Sequence, residues 1–463
     1  MLLKFCVSMN CAALCLLAFS SPPLRAQDAA FFAKNQTVDQ PAKGEVVKPL
    51  VESVLPNYYN QDDGVALAEI VRRAFENNGD IKIARLEVDR ARARLTQAAL
   101  RSNPTLEVEQ SSGRLVGSSG DGELSAGIAV PFDVYNQRKR RIDVARAEIT
   151  LREAEIKARE RELANQIFIS YAEALANLRE LSVLEELLEL DTQTTRFVQI
   201  RVNEGESPPL ELNLLQTEVE RLRARRQLVE GKMQSAMSRL KFFAGMPVEE
   251  PLKLREDISK ATLPQLPPSL ETGISVALRT RPEIRVAELE EQVASAGLRL
   301  VRAQARPDVA GYTRYTQGKQ GFDDPRGAFF QRDRSLTFGV AIGLPIFNKN
   351  QGAKAEAEIA IRQAQERRAF SEKIIRSEVA IAFQRIAAAN RALSILESAV
   401  LPRSRQNVIT IRQVYEVGEL KITDLIAEQR RLLDANRDLT ETLTERYRAQ
   451  ADLFIALGIT LEN

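Results

Sequence analysis

The sequence AFENNGDIKIA at residues 74–84 returns as ALRTRPEIRVA at residues 277–287, with apolar and polar positions in the same order 203 residues later. The correspondence continues through VPF at 130–132 and LPI at 344–346, where the offset is 214 residues. Further matches at an offset of 213 residues pair Gly205, Leu212, Gln216, Leu240 and Gly245 with Gly418, Leu425, Gln429, Leu453 and Gly458. Chance similarity between two helical halves would match their helix-forming residues but would not also align Pro and Gly. The sequence therefore predicts one structural unit used twice, with an insertion in one loop of the second copy.

Both copies predict the same order of elements, which makes the fold class mainly α with a small β part. A short helix and a second helix precede two extended runs, followed by a very long helix, a glycine-marked break and a returning helix of about 35 residues. The predicted ranges are 65–77, 81–101, 105–113 and 123–132 in the first copy, and 270–280, 283–306, 308–315 and 335–346 in the second.

Five segments follow from this order. They are a signal peptide (1–26), an N-terminal arm (27–62), a first repeat (63–246), a Pro-rich connector (247–268) and a second repeat (269–463). We expect the arm to be polar and mostly irregular, and the connector to be irregular rather than a packed element.

The composition removes most kinds of catalysis. The chain has no His, and its three Cys all lie within the first fifteen residues. There is thus no imidazole base and no His metal ligand, and a chain cleaved after residue 26 would have no thiol. No glycine-rich phosphate loop is present, and we can assign no pair of carboxylates to a pocket. The sequence predicts no enzyme, no catalytic residue, no cofactor and no metal site.

The first 26 residues have the pattern of a secretory signal. Lys4 supplies the positive start, CAALCLLAF at 11–19 is a short apolar core, and LRA at 24–26 can serve as the cleavage site. A buried strand or a short anchor would give a similar pattern. Lipid attachment at Cys15 is not expected, because Leu14 stands where a small residue is required. Removing this segment lowers the formal net charge from +2 to 0, which gives no support for binding nucleic acid.

The extended runs alternate between large apolar residues and small or polar ones. LSAGIAVPF at 124–132 and LTFGVAIGLPI at 336–346 share this period of two, which predicts strands with two different environments. About ten residues suit a tilted strand that crosses a membrane, although a soluble hairpin packed on helices would look similar. Glycine-rich loops are predicted between the runs at 114–122 and 317–334, and the second of them holds the insertion.

The predicted strands number four per chain. Four strands cannot close a barrel, and lipid tolerates no open sheet edge, so chains would have to combine to supply ~8 strands or more. Two chains and three chains both satisfy this requirement. Beyond the signal segment no uninterrupted apolar run approaches ~18 residues, so we expect no membrane-spanning helix.

A very long helix is predicted because residues 134–204 contain neither Gly nor Pro. At ~1.5 Å per residue it would be roughly 106 Å long, which is too long for burial inside one domain. Its apolar residues recur at the three- and four-residue spacing of a coiled coil or a larger tube: Leu163, Ile167, Tyr171, Leu175, Leu178, Leu181, Leu184 and Leu188. The equivalent helix of the second copy covers 353–417, with a kink expected near Pro402.

At these residues the chain resembles the TolC-like outer-membrane efflux channel family, over about residues 63–460. The motifs are AVPF (129–132) and GLPIF (343–347) at strand-to-helix junctions, and YEVGELKITDL (415–425) between the long and returning helices. The resemblance implies a homotrimer whose three chains form a twelve-stranded barrel in outer-membrane lipid and a long periplasmic helical barrel. It also implies that the barrel tip docks a periplasmic adaptor protein. LPIFNKNQGA (344–353) is most similar to the heavy-metal cation efflux (CzcC-like) branch.

The same resemblance assigns the residues of the tip. Gly205 and Gly418 match the family's tip glycines, which permit a sharp reversal between antiparallel helices; a purely structural turn is the alternative reading. The residues assigned to adaptor docking are Gly205, Glu206, Val417, Gly418, Glu419 and Leu420.

Two acidic residues are assigned to a pore constriction. Glu211 and Asp424 stand six positions beyond Gly205 and Gly418, where family members carry an acid that lines the closed aperture. A ring of carboxylates at a constriction attracts cations and repels anions. Ala427 replaces the further acid of the family pattern, which puts a double carboxylate gate in doubt. For Asp424 the alternative is an ordinary position on the helix surface.

The function that follows is the outer-membrane channel subunit of a tripartite efflux system. It would be a passive duct opened by the adaptor and energised by an inner-membrane pump expected to be proton-driven, with metal cations as cargo on the branch resemblance alone. The alternative is a periplasmic coiled-coil adaptor or scaffold protein. That alternative explains the helices but not two hairpins that each carry a large apolar face.

Overall fold

The computed structural model describes residues 52–112 and 122–458, apart from 262, 264, 265 and 326. The first repeat has the helices α1 (Leu67–Asn77), α2 (Gly79–Ala99), α3 (Gln137–Asn203) and α4 (Pro209–Ala244), with strands β1 (Thr105–Ser112) and β2 (Gly122–Phe132) between α2 and α3. The second has α5 (Leu270–Thr280), α6 (Pro282–Gln304), β3 (Asp308–Asp324), β4 (Gly327–Gly343), α7 (Gln351–Ile395), α8 (Leu401–Glu416) and α9 (Ile422–Ala456). The predicted duplication is present element by element. The signal peptide and most of the N-terminal arm lie outside the described residues.

The long helix α3 has 67 residues, which at ~1.5 Å per residue gives roughly 100 Å. The predicted apolar stripe from Leu163 to Leu188 is buried, and it packs with residues of α1, α4 and α9 in the main core. In the second repeat the equivalent helix is interrupted by a π-helical turn at Leu396–Val400, which ends two residues before Pro402. Proline has no N–H to give to the preceding turn, and a wider turn is one way in which a helix accommodates it.

The two repeats close the junction between their short helices at equivalent positions but with different side chains. The Asn78 side-chain amide donates to the backbone oxygen of Phe243 at 3.0 Å. In the second repeat the guanidinium of Arg281 donates to the backbone oxygen of Ala456 at 3.3 Å. Arg281 is only 4% exposed and is also held by Glu378 at 2.6 Å. One junction is therefore closed by a neutral amide and the other by a buried arginine whose ion-pair partner, Glu378, is exposed.

A glycine follows the last helix of each repeat for a steric reason. Gly245 and Gly458 both have φ of +66°, which other residues rarely adopt. A Cβ at Gly245 would lie 2.8 Å from the backbone of Asn77, and one at Gly458 would lie 3.0 Å from the backbone of Thr280. The returning helix can thus pack against the short-helix junction only where the side chain is absent.

The four strands form one antiparallel sheet in the order β1-β2-β3-β4. Since β2 pairs with β3, the hairpins of the two repeats are joined into a single surface. The sequence predictions for the extent of these last two strands and for the loop between them were both wrong. The prediction placed strands at 308–315 and 335–346 with a glycine-rich loop between them, but β3 and β4 pair continuously from Asp308–Gly343 to Asp324–Gly327. Apolar alternation stops at Tyr315 and Leu336, whereas backbone pairing continues through polar residues that carry no such pattern.

One face of the sheet is apolar and exposed, as the alternation predicts. Residues paired across antiparallel strands point to the same face, so the register places these side chains together. This apolar face comprises Leu106, Val108, Leu124, Ile128, Val130, Phe132, Leu336, Phe338, Val340 and Ile342, each at least 40% exposed. The opposite face carries small and polar residues, among them Glu107 and Arg314, which form an ion pair at 3.1 Å.

The connector is irregular, as predicted, but it is packed into the core, which corrects the expectation of a loose segment. Leu252, Leu254 and Ile258 are at most 5% exposed and belong to the main hydrophobic cluster. Leu254 also forms isolated β-bridges with Tyr59 and Val65. Apolar residues between the prolines therefore attach this segment to the first repeat, and with it the end of the N-terminal arm.

Among the described residues one helical stretch, Gln351–Glu416, contains a segment long and apolar enough by length and composition to cross a membrane, with a mean hydropathy of 1.2 over 18 residues. The sequence expectation considered only uninterrupted apolar runs and therefore missed it. A single helix of this kind is weak evidence for a membrane span, and this stretch packs along α6 and α9.

Candidate functional site at the helical tip

Both long helical hairpins reverse direction at a glycine with a positive φ. Gly205 has φ of +78° and Gly418 has φ of +86°. The N–H of Gly205 donates to Val202 at 3.1 Å and the next N–H donates to Arg201 at 2.8 Å. The Gly418 turn has the same pair of backbone bonds, at 2.9 and 3.2 Å. This is the Schellman arrangement that ends helices at glycine, so the two predicted tip turns are equivalent structures.

Glycine at these turns is required by conformation and not by crowding. No atom lies within 4 Å of a Cβ built on Gly205 or Gly418. The neighbouring docking candidates Val417 and Glu419 are exposed, Val417 at 76%, while Leu420 is half-buried. Glu206 is exposed beside the other turn and lies 3.7 Å from the guanidinium of Arg201. The tip therefore offers a free surface formed by both turns.

A small hydrophobic cluster brings the two turns to one end of the helical body. It contains residues from α3, α4, α8 and α9, and we call it the tip cluster: Val198, Leu212, Leu215, Tyr415, Ile422, Leu425 and Ile426. These side chains are 0–9% exposed. Their packing fixes the first turns of the returning helices, where Glu211 and Asp424 lie.

Glu211 of the first repeat forms a hydrogen bond with the second repeat. The hydroxyl of Tyr415 on α8 donates to the Glu211 carboxylate on α4 at 3.1 Å. Burial, followed by the charge of Glu211, raises the pKa of Tyr415 to about 12, so the hydroxyl keeps its proton at neutral pH. The contact links the two hairpins at the tip, and sequence reasoning had not found it.

Asp424 is placed differently from its counterpart. It is exposed, and its carboxylate accepts from the backbone N–H of Lys421 at 3.3 Å at the start of α9. An acid in this position accepts a hydrogen bond from a backbone N–H that has no partner within the helix, and its negative charge is stabilised by the positive end of the helix dipole. Asp424 thus has a local structural role, and its exposure leaves the carboxylate able to attract cations as well. The position that lacks the second acid, Ala427, is also exposed.

Next to the tip cluster lies a layer of buried polar side chains that the sequence reasoning missed. Asp191 on α3 is 2% exposed and accepts from the Gln429 amide at 2.6 Å. Burial, opposed by that hydrogen bond and assisted by the charge of Glu218, raises the pKa of Asp191 to about 7. Since Asp191 continues the spacing of Leu184 and Leu188, an acid on an apolar stripe was the available signal.

The other buried acids of this layer are paired with cations. Glu218 on α4 is 7% exposed and receives two bonds from Arg430 on α9, at 2.5 and 3.2 Å. Glu428 is 4% exposed and accepts from Asn407 at 2.9 Å and Arg431 at 2.8 Å. These contacts connect α8 and α9 with each other and with α4. The layer therefore couples the same helices as the tip cluster.

The chemistry available at the tip is electrostatic. Within the described part of the chain no group of three or more acidic side chains is arranged to hold a metal ion. The arrangement presents carboxylates at the helical tip, where Glu211 and Asp424 differ in their contacts.

Replacing Tyr415 by Phe is expected to lower the free energy of unfolding by about 1–2 kcal/mol, because a hydrogen bond to a carboxylate is lost while the ring still fits. Thermal unfolding of the detergent-solubilised protein measures this loss. The matched control is Tyr135→Phe, since Tyr135 is an exposed tyrosine outside the tip. Equal midpoints for both variants would show that the Glu211 contact contributes nothing.

Comparison with known proteins gives the same architecture. The family model described as "Outer membrane efflux protein" matches residues 70–246 and 273–459. The cation efflux system protein CusC of Escherichia coli K12 is 25% identical over 399 residues, covering 84% of this chain and 85% of its own length. The cobalt-zinc-cadmium resistance protein CzcC of Cupriavidus metallidurans is 23% identical, covering 93% and 97%. The toluene efflux pump outer membrane protein TtgI of Pseudomonas putida is 22% identical, covering 93% of each.

A crystal structure of CusC superimposes with a TM-score of 0.69, at 21% identity, and covers 90% of this chain and 99% of that one. The likeness confirms the predicted fold class. The family model falls on both repeats and leaves out the connector, in agreement with the duplication in the structure. The chain belongs to the outer membrane efflux protein family.

Proposed function

We propose that three copies of this chain form a passive duct through the outer membrane, opened at the helical tip by a periplasmic adaptor and energised by a proton-driven inner-membrane pump. The observation that carries the proposal is the exposed apolar face of the sheet at one end of a chain whose other end is the glycine tip. Ten large apolar side chains exposed on one sheet face are typical of contact with lipid.

The edges of the sheet support an assembly of several copies. In the described part of the chain β1 and β4 each pair on one side only. Lipid tolerates no open edge, so β4 of one copy is proposed to pair with β1 of the next. Three copies would supply twelve strands, the number that the family resemblance implies. Large apolar residues exposed on α7, such as Ile359, Phe370 and Ile381, would be covered by neighbouring copies of the helical body.

Metal cations are the proposed cargo. Two relatives of this chain are named for cation efflux and for cobalt, zinc and cadmium resistance, and the tip carries Glu211 and Asp424. Carboxylates at a constriction favour cations without binding them tightly. Another relative is named for toluene efflux, so the cargo has to be tested separately from the duct.

Membrane fractionation and a deletion strain test this function. We expect the protein to remain with outer membranes until detergent is added, and to conduct ions in planar bilayers. Recovery in the soluble periplasmic fraction without detergent would instead favour the adaptor or scaffold alternative. We expect the deletion strain to lose resistance to cobalt, zinc or cadmium salts. Sensitivity to toluene and dyes alone would leave the duct intact and reject metal cargo.

Replacing Asp424 by Ala is expected to raise single-channel conductance and to lower cation selectivity, because a carboxylate is removed from the aperture and the side chain is smaller. Planar-bilayer recording of the purified channel measures both quantities. Glu419→Ala is the matched control, since Glu419 is an exposed acid at the turn itself. Conductance and selectivity identical to those of the parent would assign Asp424 only to capping α9.

A further inference from the structure

We propose that Lys319, Arg332 and Arg334 form a basic belt that binds the phosphate groups of lipids in the outer leaflet. The belt lies on the part of the β3–β4 hairpin that the sequence had assigned to a loop. The inference rests on the proposed function, because it requires the apolar face to contact lipid. It adds a class of partner, a phosphate-bearing lipid headgroup, that the duct itself does not require.

The belt shares a face of the sheet with the lipid-contacting residues. Successive side chains of a strand alternate between faces, so Arg332 and Arg334 point the same way as Leu336 and Phe338. In the register Lys319 pairs with Arg332, which places it on this face too. The ion pair of the neighbouring strands, Arg314–Glu107, lies on the opposite face.

The belt also lies at the right height for headgroups. Every strand joins its helix at one end of the sheet, so the β3–β4 turn is at the end remote from the helical body. Arg334 and Arg332 are two and four residues beyond Leu336 towards that turn. At ~3.4 Å per residue and a tilt of ~40° they stand roughly 5 and 10 Å further along the membrane normal than Leu336. Arg332 is then roughly 26 Å from Ile342, about the height of the apolar band of a membrane barrel.

The described part of the chain offers the belt no acidic partner. None of the three residues forms an ion pair within the described part of the chain. Lys319 and Arg332 are directly opposite each other in the register, and like charges in that position are destabilising. A phosphate placed between them would relieve the repulsion and could be bound by the planar guanidinium.

An aromatic ring holds one of the cations in place. The ammonium of Lys319 lies 3.8 Å from the ring centre of Phe330, which is itself 51% exposed on the same face. Transmembrane barrels carry girdles of aromatic residues at both membrane interfaces. Long basic side chains there place their charge in the polar layer while their stems cover apolar surface. Both features favour a lipid as the partner over a soluble acidic protein.

Lipid binding by purified protein tests the belt. We expect the parent to bind lipid A that carries two phosphates at least about tenfold more tightly than the triple variant Lys319→Gln, Arg332→Gln, Arg334→Gln, since each basic residue adds to binding at an anionic surface. Both proteins should bind dephosphorylated lipid A equally. Free inorganic phosphate should compete poorly, because it lacks the acyl chains that contact the apolar face.

A second triple variant controls for net charge. Arg391→Gln, Arg403→Gln and Arg405→Gln remove three exposed cations from the helical body, and we expect parental affinity for the phosphorylated lipid. The proposal is overturned if the belt variant binds as the parent does, if both variants weaken equally, or if the parent shows no preference for the phosphorylated lipid. A parent that inserts into bilayers without this preference would reject the belt alone. Failure to insert would reject the duct.

Discussion

Replacing Gly418 by Trp is expected to reduce metal resistance to the level of the deletion strain while the oligomer still assembles. The backbone at φ +86° makes any L side chain unfavourable, but only by ~1–2 kcal/mol. Because no atom lies within 4 Å of the Cβ position, the indole would project into solvent without disturbing the tip cluster. It would occupy the surface on which the adaptor is proposed to dock. Resistance assays and size-exclusion chromatography measure the two outcomes.

The variant Gly418→Asn distinguishes the effect of side-chain size from the effect of placing a residue other than glycine at a positive φ. Asparagine tolerates a positive φ better than other residues and is small, so most resistance should be retained. If the Trp variant is as resistant as the parent, the turn has no part in docking. If both variants lose the oligomer, Gly418 serves only to close the turn.

Replacing Asp191 by Asn is expected to stabilise the protein at pH 8 by up to about 4 kcal/mol, because a buried carboxyl no longer has to ionise. The folded state holds the pKa of this group near 7, against 3.8 for an unperturbed carboxyl. Between those values the folded chain binds more protons than the unfolded chain, so the parent loses stability as pH rises from about 4 to about 7. The Asn variant should lack this slope and match the parent at pH 4.

Thermal unfolding in detergent across this pH range is the measurement. The substitution keeps the acceptor for the Gln429 amide and adds an amide donor to a site where the Gln429 side-chain oxygen has no partner among the described residues. Glu186→Gln is the matched control, since Glu186 is an exposed acid on the same helix. A parental pH slope in the Asn variant would place the titrating group elsewhere.

The helical body could be predicted from sequence because its signals are local. A run without Gly or Pro predicts α3 to within three residues at each end, and the matching glycines predict both tip turns. The hairpin β3–β4 was only half predicted. Its apolar half alternates, but its distal half is held by backbone pairing, which leaves no trace in the side chains at Gly318 or Gln331.

The contacts at the tip could not be predicted from the sequence for a different reason. Tyr415 and Glu211 are 204 positions apart, and their hydrogen bond depends on how two antiparallel hairpins are aligned. Spacing within either hairpin does not determine that alignment. Asp191 could have been found, because an acid on an apolar stripe implies either a buried partner or a changed pKa.

The unlike junctions at Asn78 and Arg281 show what a duplicated gene permits. In an oligomer whose chains each contained one repeat, a substitution in the gene would change the junction of every repeat. Here a mutation at one junction leaves the other untouched, so each can be optimised for its own surroundings. Arg281 requires Glu378 nearby, whereas Asn78 requires only a backbone oxygen. The two junctions have thereby become separate targets for natural selection.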